Sequence, residues 1–197
     1  MCVALVLVGG LPGTGKTTLA GAVADILGWA VLSSDRIRKE LAGIPPDADG
    51  RTAFGTGIYT PAWTAQTYAE LLRRASELLV RGESVILDAS WSSAESRSAA
   101  GDLARDVHAH LVELRCVASD QLARRRLAAR PPGPSDARPE VAARLASAMT
   151  AWPTAMVIDT EPGGMAAAAP SGSGGHFDQI VGQALDAIRQ CRAKHVS

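Results

Sequence analysis

The chain has 197 residues, of which 47% are hydrophobic and 20% are charged. This composition is typical of a globular protein with a sizeable core, and it excludes wholesale disorder. Twenty basic and twenty acidic residues give a formal net charge of zero. We therefore expect one domain over residues 1–197, without an overall electrostatic field for nucleic acid or a membrane surface.

The cysteines Cys2, Cys116 and Cys191 are odd in number and far apart in the chain. This pattern argues against a disulfide framework and a zinc cluster, and it is typical of a reducing compartment, so we expect a cytoplasmic protein. The apolar start at residues 2–8 is too short for a signal peptide and lacks a basic flank. No run reaches the roughly 18 apolar residues that a membrane span requires.

Short apolar runs alternate with helical patterns along the chain. The run at 3–8 is rich in β-branched residues and predicts a strand buried on both faces, and similar runs lie at 29–32, 85–87, 111–117 and 155–158. Apolar residues at helix spacing occupy 19–27, 68–79 and 177–191, and Thr60-Pro61 predicts the start of the middle helix. The alternation predicts an α/β fold, a parallel sheet with helices on both sides.

Three segments interrupt this alternation. Residues 43–57 are rich in Gly, Pro and Asp and predict a long loop, while 130–139 contain four prolines. Residues 161–175 consist largely of Gly, Ala, Pro and Ser, which predicts a mobile segment. Loops of this length in a compact domain are usually lids, binding loops or connectors.

The first strand runs into a phosphate-binding pattern, G-x-x-x-x-G-K-[ST]. The residues that match it are Gly10-Leu11-Pro12-Gly13-Thr14-Gly15-Lys16-Thr17. Glycines let main-chain N–H groups turn inward around phosphate oxygens, and the following helix points its positive end at the same anion. We expect Lys16 on the β- and γ-phosphates, the Thr17 hydroxyl toward Mg²⁺ and Thr18 near the α-phosphate. The alternative is a glycine turn with an incidental lysine.

The remaining sequence narrows the class of nucleotide-binding protein. The N-K-x-D motif that reads guanine and an L-S-G-G-Q-type signature are both absent from the sequence. A motor or a ring-forming ATPase module requires a longer chain. A small phosphotransferase remains, in which Lys16, Mg²⁺ and mobile arginines hold the transferring group.

Acidic residues follow two of the predicted strands. Asp35 follows the second strand, where an acceptor hydroxyl would approach the γ-phosphate, and it is our candidate general base; the alternative is a helix N-cap formed by Ser34 or Asp35. Arg38, one turn later, is a candidate for holding the acceptor or is a solvated arginine. Asp88 follows the strand 85–87 at the Walker B position, where a carboxylate contacts either the Mg²⁺ shell or the acceptor. The alternative is an aspartate that only forms the turn at the end of the strand. Trp91 is equally consistent with the acceptor pocket and with the core.

Residues 120–130 predict a helix with four arginines: Arg124, Arg125, Arg126 and Arg130. Arg126 and Arg130 are four residues apart and share a face, so the segment at about 124–139 predicts a lid that closes over ATP. The alternatives are a solvated basic face and a nucleic-acid patch, and the patch lacks interleaved aromatic residues. The four histidines show no metal-ligand spacing, so we expect structural or solvated roles for them.

Together these residues resemble the AAA_33-type P-loop kinases, a group similar to polynucleotide 5′-kinase, zeta toxin, chloramphenicol phosphotransferase and gluconate kinase domains. The matching features are the P-loop, Ser34-Asp35-x-x-Arg38, Asp88, Arg126-x-x-x-Arg130 and Val157-Ile158-Asp159-Thr160. The resemblance implies a P-loop NTPase three-layer sandwich, a five-stranded parallel sheet of order 2-3-1-4-5, with an arginine-bearing lid. It also implies ATP and Mg²⁺ as cofactors and places the segment after Thr160 near adenine.

By the same resemblance, Asp35 acts as the base, Arg38 and Asp88 lie on the acceptor side, and Arg126 and Arg130 belong to the lid. The leading hypothesis is transfer of the γ-phosphoryl of ATP to a hydroxyl of a small molecule. Two alternatives stay open: a 5′-polynucleotide or nucleoside kinase, and a nucleotide-binding regulatory module with little turnover. Similar modules also form the C-terminal half of longer bacterial chains that begin with an aminoglycoside-phosphotransferase-like domain, so such a parent chain is a further alternative.

Overall fold

The computed structural model describes residues 3–45, 57–129, 145–161 and 175–193. The strands are β1 (Ala4–Gly9), β2 (Ala30–Ser33), β3 (Val85–Asp88), β4 (His110–Val117) and β5 (Met156–Asp159). The helices are α1 (Lys16–Leu27), α2 (Ser34–Leu41), α3 (Pro61–Val80), α4 (Ala94–Asp106), α5 (Asp120–Ala128) and α6 (Gly175–Ala193). Every predicted strand is present within one residue of its expected bounds. The periodicity did not single out α4, because its sequence is polar and alanine-rich.

The five strands form one parallel sheet of order β2-β3-β1-β4-β5, which confirms the expected topology. The central strand β1 and its neighbour β3 are buried along their whole length. The edge strands β2 and β5 differ from the expectation of burial on both faces, because among the described residues each has a neighbouring strand on one side only. Val31 in β2 is 37% exposed, and Val157 in β5 is 55% exposed.

Alternate residues of β1 enter two separate cores. Ala4, Val6 and Val8 pack with α1 and α6 on one face of the sheet. Leu5 and Leu7, with Val3 just before the strand, pack on the other face with apolar residues of α2, α3 and α4. Successive side chains of a strand point to opposite faces, so this division produces the three-layer sandwich that the resemblance implied.

The starts of α2 and α3 can be compared with the capping residues that the sequence predicted. The Thr60 hydroxyl accepts a hydrogen bond from the Trp63 amide at 3.3 Å, and Pro61 begins α3, as its sequence predicted. At α2 the N-cap is Ser33 rather than Ser34 or Asp35, because the helix begins at Ser34. In the part of the chain that the structure describes, no helix is long and apolar enough to cross a membrane.

Candidate active site

The loop between β1 and α1 follows a path that only glycine adopts readily. Gly10, Gly13 and Gly15 have φ angles of 140°, 83° and 84°, in the region that side chains disfavour. Space is also short, since a Cβ on Gly13 would lie 2.5 Å from the Ala123 carbonyl oxygen. A Cβ on Gly10 would lie 2.5 Å from the carbonyl oxygen of Cys116. The loop is therefore held between α5 and the end of β4 in a cradle that needs glycine.

A direct hydrogen bond joins the two residues expected near Mg²⁺. The Thr17 hydroxyl lies 2.8 Å from Oδ2 of Asp88. Asp88 ends β3, beside Val8 of β1, and is only 3% exposed. A hydroxyl and one carboxylate are hard oxygen donors that fit Mg²⁺, which usually completes its coordination with phosphate oxygens and water. Among residues 3–45, 57–129, 145–161 and 175–193, no group of three or more His, Cys, Asp or Glu could hold a metal ion.

Asp35 and Arg38 lie on α2, which follows the strand adjacent to β3. Ser33 pairs in register with Asp88, so the first turn of α2 begins at the same edge of the sheet as the Asp88 carboxylate. Asp35 is half-buried in that turn. Arg38 is 6% exposed and donates through Nη1 to the Ile58 carbonyl at 2.9 Å. This arginine is therefore part of the packed interior and not a solvated side chain.

Arg38 is also held from the side of α3. Its Nη1 lies 3.3 Å from the Thr64 hydroxyl, and its guanidinium lies 5.0 Å from the centre of the Tyr59 ring. Its Nε is buried and has no hydrogen-bond partner among the described residues. The loop expected at 43–57 lies mostly outside these residues, at 46–56.

Tyr68 of α3, whose spacing in the sequence indicated only an apolar helix position, contacts the loop after β3. The Tyr68 hydroxyl contacts the Ser90 hydroxyl at 3.1 Å and accepts a hydrogen bond from the Trp91 amide at 3.1 Å. Burial raises the pKa of Tyr68, hydrogen bonds and Arg38 act against that increase, and Asp35 adds to it. Asp35 and Arg38 therefore share one electrostatic environment with Tyr68. The phenol stays protonated at neutral pH.

Trp91 belongs to the core. It is completely buried with φ at +50°, its ring meets Tyr68 edge-on at 5.2 Å, and its indole N–H donates to the Leu87 carbonyl. Of the two positions expected for Trp91, the acceptor pocket and the core, the structure shows the core. Its role is to support Tyr68 and the loop after β3.

Arg97 of α4 ties that loop to the segment before β5. Its guanidinium donates to the Trp91 carbonyl at 2.8 Å, to the Thr150 hydroxyl at 2.9 Å and to the Ala151 carbonyl at 2.7 Å. It also lies 5.2 Å from the centre of the Trp152 ring. A Cβ on Gly9 would lie 2.3 Å from this ring, so Trp152 packs directly on the entrance to the phosphate loop.

Arg126 is the one arginine of the expected lid pair that the structure describes. Its Nη1 donates to the Thr160 hydroxyl at 2.9 Å and lies 3.4 Å from the Gly13 carbonyl, and its Nη2 donates to the Thr160 carbonyl at 2.8 Å. Arg126 is thus anchored beside the phosphate loop, whereas Arg124 and Arg125 are exposed. Arg130, with the rest of the expected lid to 139, lies outside the described residues, as do 162–174 of the segment expected to be mobile.

A cavity of about 640 Å³ opens over the phosphate loop. The phosphate loop and the start of α1 contribute Gly13, Gly15, Lys16, Thr17, Thr18 and Leu19 to its lining. Three other parts of the chain contribute Arg126, Leu127, Thr160, His176, Phe177 and Ile180. The lining therefore combines glycines, hydroxyls and basic side chains with apolar and aromatic ones.

The family model for the AAA domain named AAA_33 matches residues 5–152. The chain belongs to the AAA_33 family. An uncharacterized protein of Mycobacterium tuberculosis is 42% identical over 158 residues, which are 80% of this chain and 32% of that protein. A protein of Mycobacterium bovis matches to the same extent. The chain thus spans about a third of the length of the curated relatives it matches.

Solved structures show that this AAA_33 chain has the P-loop kinase fold. A Chloroflexus aurantiacus protein superposes with a TM-score of 0.65 at 23% identity, over 95% of this chain and 99% of the other. The Mycobacterium tuberculosis APS kinase in complex with AMPPNP and APS superposes with a TM-score of 0.59 at 22% identity, over 95% of this chain and 98% of the kinase. A gluconokinase from Sinorhizobium meliloti superposes with a TM-score of 0.59 at 18% identity, over 98% of this chain and 96% of the gluconokinase.

Several residues at or near this candidate site had no functional signal in the sequence. Tyr68 and Phe177 fit the apolar stripes of their helices, and Arg97 lies in a helix that had not been predicted. His176 lacked any partner pattern and was expected to be structural or solvated. Each of them reaches the site through a contact between distant parts of the chain, which no local pattern encodes.

Proposed function

We propose that the chain is an ATP-dependent phosphotransferase that moves the γ-phosphoryl of ATP to a hydroxyl of a small molecule. The observation that carries the proposal is the hydrogen bond between Thr17 and Asp88 at the base of a glycine cradle. It joins the phosphate loop to the Walker B strand, and α2 with Asp35 begins at the neighbouring strand end. A binding module without turnover would not need an acid beside the acceptor edge.

The phosphate loop supplies the donor side of the reaction. Main-chain amides of residues 10–18 surround the triphosphate, and the Lys16 ammonium balances charge on the β- and γ-phosphates. The Thr17 hydroxyl and the Asp88 carboxylate would hold Mg²⁺, which would supply positive charge to offset that of the phosphates. Arg126 adds positive charge at the opposite wall, and Arg130 remains a predicted second lid arginine.

Asp35 supplies the acceptor side. The acceptor oxygen forms a bond to the γ-phosphorus while the bond from that phosphorus to the β,γ-bridging oxygen breaks and ADP leaves with its electron pair. The hydroxyl proton passes to the Asp35 carboxylate. Arg38, fixed by Ile58 and Thr64, and Asp88 line the region in which the acceptor is held.

An acceptor screen tests this proposal. Purified protein is incubated with Mg²⁺ and γ-labelled ATP against sugars, nucleosides, antibiotics and 5′-hydroxyl oligonucleotides, and transfer of label is measured. Transfer to one small-molecule class supports the proposal, whereas end-labelling of oligonucleotides supports the polynucleotide-kinase alternative. Tight ATP binding without transfer to any acceptor would instead support a regulatory module.

Asp35→Asn is the sharpest variant for the acceptor chemistry. We expect kcat to fall about 100-fold or more, because general-base assistance of this size is lost, while ATP affinity stays unchanged. Asp25→Asn, at an exposed position of α1, is the matched control and keeps wild-type turnover. Near-normal kcat for Asp35→Asn would refute the base assignment. Lys16→Ala is expected to abolish transfer, because the amides alone do not balance the developing charge.

A further inference from the structure

Trp91, the third residue after β3, has a backbone conformation that side chains disfavour. Its φ angle is +50° although it is not glycine, and the residue is completely buried. A left-handed conformation costs a residue with a side chain about 1–2 kcal/mol. Such a residue keeps that conformation only where its surroundings hold it. The contacts of Trp91 therefore decide the path of the loop after β3.

Buried side chains from two helices hold the main chain of Trp91 on both sides. Its amide donates a hydrogen bond to the Tyr68 hydroxyl of α3 at 3.1 Å, and its carbonyl accepts one from Arg97 of α4 at 2.8 Å. Its ring meets Tyr68 edge-on, and its indole N–H donates to the Leu87 carbonyl at 3.3 Å. Because the amide and the carbonyl of one residue are both fixed, the loop has one defined path.

The Tyr68 hydroxyl holds two successive residues of this loop. Burial raises the pKa of Tyr68, so the phenol keeps its proton. Among the described residues, the acceptor within reach of that proton is the Ser90 hydroxyl at 3.1 Å. A buried donor left without an acceptor costs about 1–3 kcal/mol. Tyr68 therefore donates to Ser90 while it accepts from the amide of Trp91.

The loop held in this way contacts the phosphate loop at two points. The Ser90 carbonyl accepts a hydrogen bond from the Gly10 amide at 3.3 Å. Asp88, two residues earlier, bonds through Oδ2 to the Thr17 hydroxyl at 2.8 Å. Gly10 and Thr17 are the first and last residues of the phosphate-binding motif. A change in the conformation of Trp91 would therefore move groups that contact both ends of that motif.

We propose that Tyr68 is a positioning residue for the Mg²⁺ side of the site. Its hydroxyl holds Trp91 in the left-handed conformation, and this conformation keeps the Asp88 carboxylate beside Thr17. The inference rests on the proposed function, in which Asp88 and Thr17 hold Mg²⁺. It adds a residue of α3 that acts only through the loop after β3.

The test measures the affinity for ATP by calorimetric titration, once in EDTA and once at millimolar Mg²⁺. The ratio of the two affinities, the magnesium gain, reports on the metal side, because the loop amides and Lys16 contribute in both conditions. We expect a gain of at least about tenfold for the wild type. Tyr68→Phe keeps the ring and removes the hydroxyl. It should reduce the gain about fivefold, the effect of one hydrogen bond, with affinity in EDTA unchanged.

Thr67→Val is the matched control. Thr67 precedes Tyr68 in α3, is completely buried, and donates through its hydroxyl to the Trp63 carbonyl of the same helix at 2.7 Å. Each variant removes one buried hydroxyl from α3, but the Thr67 hydroxyl bonds within the helix, so Thr67→Val should keep the full magnesium gain. Equal losses in the two variants would overturn the inference, because a loosened helix would then be the cause. A full gain in Tyr68→Phe would overturn it directly.

Arg97→Met provides a second variant, which decides the question if Tyr68→Phe does not fold. It removes the donor to the Trp91 carbonyl, so it should also reduce the magnesium gain. A gain equal to that of the wild type would show that the conformation of Trp91 does not control the position of Asp88. Circular dichroism and thermal unfolding establish that each variant compared is folded.

The wild type separates failure of this inference from failure of the proposed function. If it binds ATP equally with and without Mg²⁺, the inference is refuted while binding of ATP at the phosphate loop stands. If it binds ATP in neither condition, the proposed function itself is refuted.

Discussion

At the scale of the residue, the phosphate loop shows how backbone conformation selects an amino acid. Gly13 combines a φ of 83° with a backbone oxygen 2.5 Å from where its Cβ would lie, so both strain and overlap exclude a side chain. Gly21 in α1 is the opposite case, since a Cβ there would meet nothing within 4 Å. The two glycines lie eight positions apart, so they allow a matched comparison within one segment.

Gly13→Ala should therefore weaken ATP binding at least about tenfold, because a left-handed conformation alone costs a residue with a side chain about 1–2 kcal/mol and the overlap adds to it. Gly21→Ala should bind ATP normally and gain up to about 1 kcal/mol in the free energy of unfolding, since alanine is the better helix residue. Titration calorimetry and urea unfolding measure the two effects. Equal ATP affinity in both variants would show that the loop tolerates a Cβ.

At the scale of the element, Arg97 holds α4 and the segment before β5 against the loop after β3. The side chain is nearly buried, with 8% of the residue exposed, and it satisfies two carbonyls and one hydroxyl. A buried acceptor that loses its donor costs about 1–3 kcal/mol. The contact therefore matters both for stability and for the position of Trp91.

Arg97→Met, which keeps the bulk and removes the donors, should lower the free energy of unfolding by about 2–4 kcal/mol. Arg105→Met on the same helix is the control, because the Arg105 side chain is 75% exposed and pairs only at the surface with Asp102. Arg105→Met should change the free energy of unfolding by no more than about 0.5 kcal/mol. Urea denaturation of both variants measures the two changes. Similar losses of unfolding free energy in both would show that the buried hydrogen bonds of Arg97 do not stabilise the fold.

Helices α2 and α3 are joined by surface charges centred on Glu70. Hydrogen bonds from Arg73 and Arg74 lower the pKa of Glu70 to about 2, and Arg74 also bonds to Glu40 of α2 at 2.6 Å. The folded state therefore keeps this carboxylate ionised to lower pH than the unfolded state does. The stabilisation is fully present above the ordinary pKa of 4.5 and is lost as pH falls toward 2.

Glu70→Gln should remove that part of the pH dependence. Because the charges lie at the surface and are screened, we expect a difference of at most about 1 kcal/mol at neutral pH, which shrinks at high salt and vanishes near pH 2. Urea unfolding of the wild type and Glu70→Gln between pH 3 and pH 7 measures it. If the difference in unfolding free energy between the wild type and Glu70→Gln grew as pH fell, the ion pairs of Glu70 would not be its cause.

At the scale of the whole molecule, α6 completes one of the two cores. Its residues Ile180, Val181, Ala184 and Ile188 are buried against the face of the sheet that carries α1. The family model ends at residue 152, before this helix begins. The described fold therefore depends on a segment outside the family match.

A chain truncated after residue 161 should lose cooperative unfolding, because the apolar face of α1, β1 and β4 that α6 covers would become exposed to water. Thermal unfolding monitored by circular dichroism and binding of a hydrophobic dye measure this change. A cooperative transition close to that of the intact chain, without dye binding, would show that α6 is dispensable for the core.

Much of the architecture was predictable from local patterns. The apolar runs located all five strands, Thr60 and Pro61 marked the start of α3, and the resemblance supplied the strand order that the structure confirms. Helix α4 was missed, since its buried positions are mostly alanine, which carries little periodic signal. The roles of Asp35, Arg38 and Arg126 remain predictions about chemistry, because their positions alone do not test activity.

The sequence by itself determined where the phosphate loop lies and why it contains glycines, because backbone conformation and burial periodicity depend on residues close together in the chain. Only the tertiary structure decided which distant side chains meet there. It joined Thr17 to Asp88, placed Thr160 against Arg126, and brought His176 to the cavity. Those contacts depend on how helices pack across a sheet, and that packing is a property of the assembled core that no short segment carries.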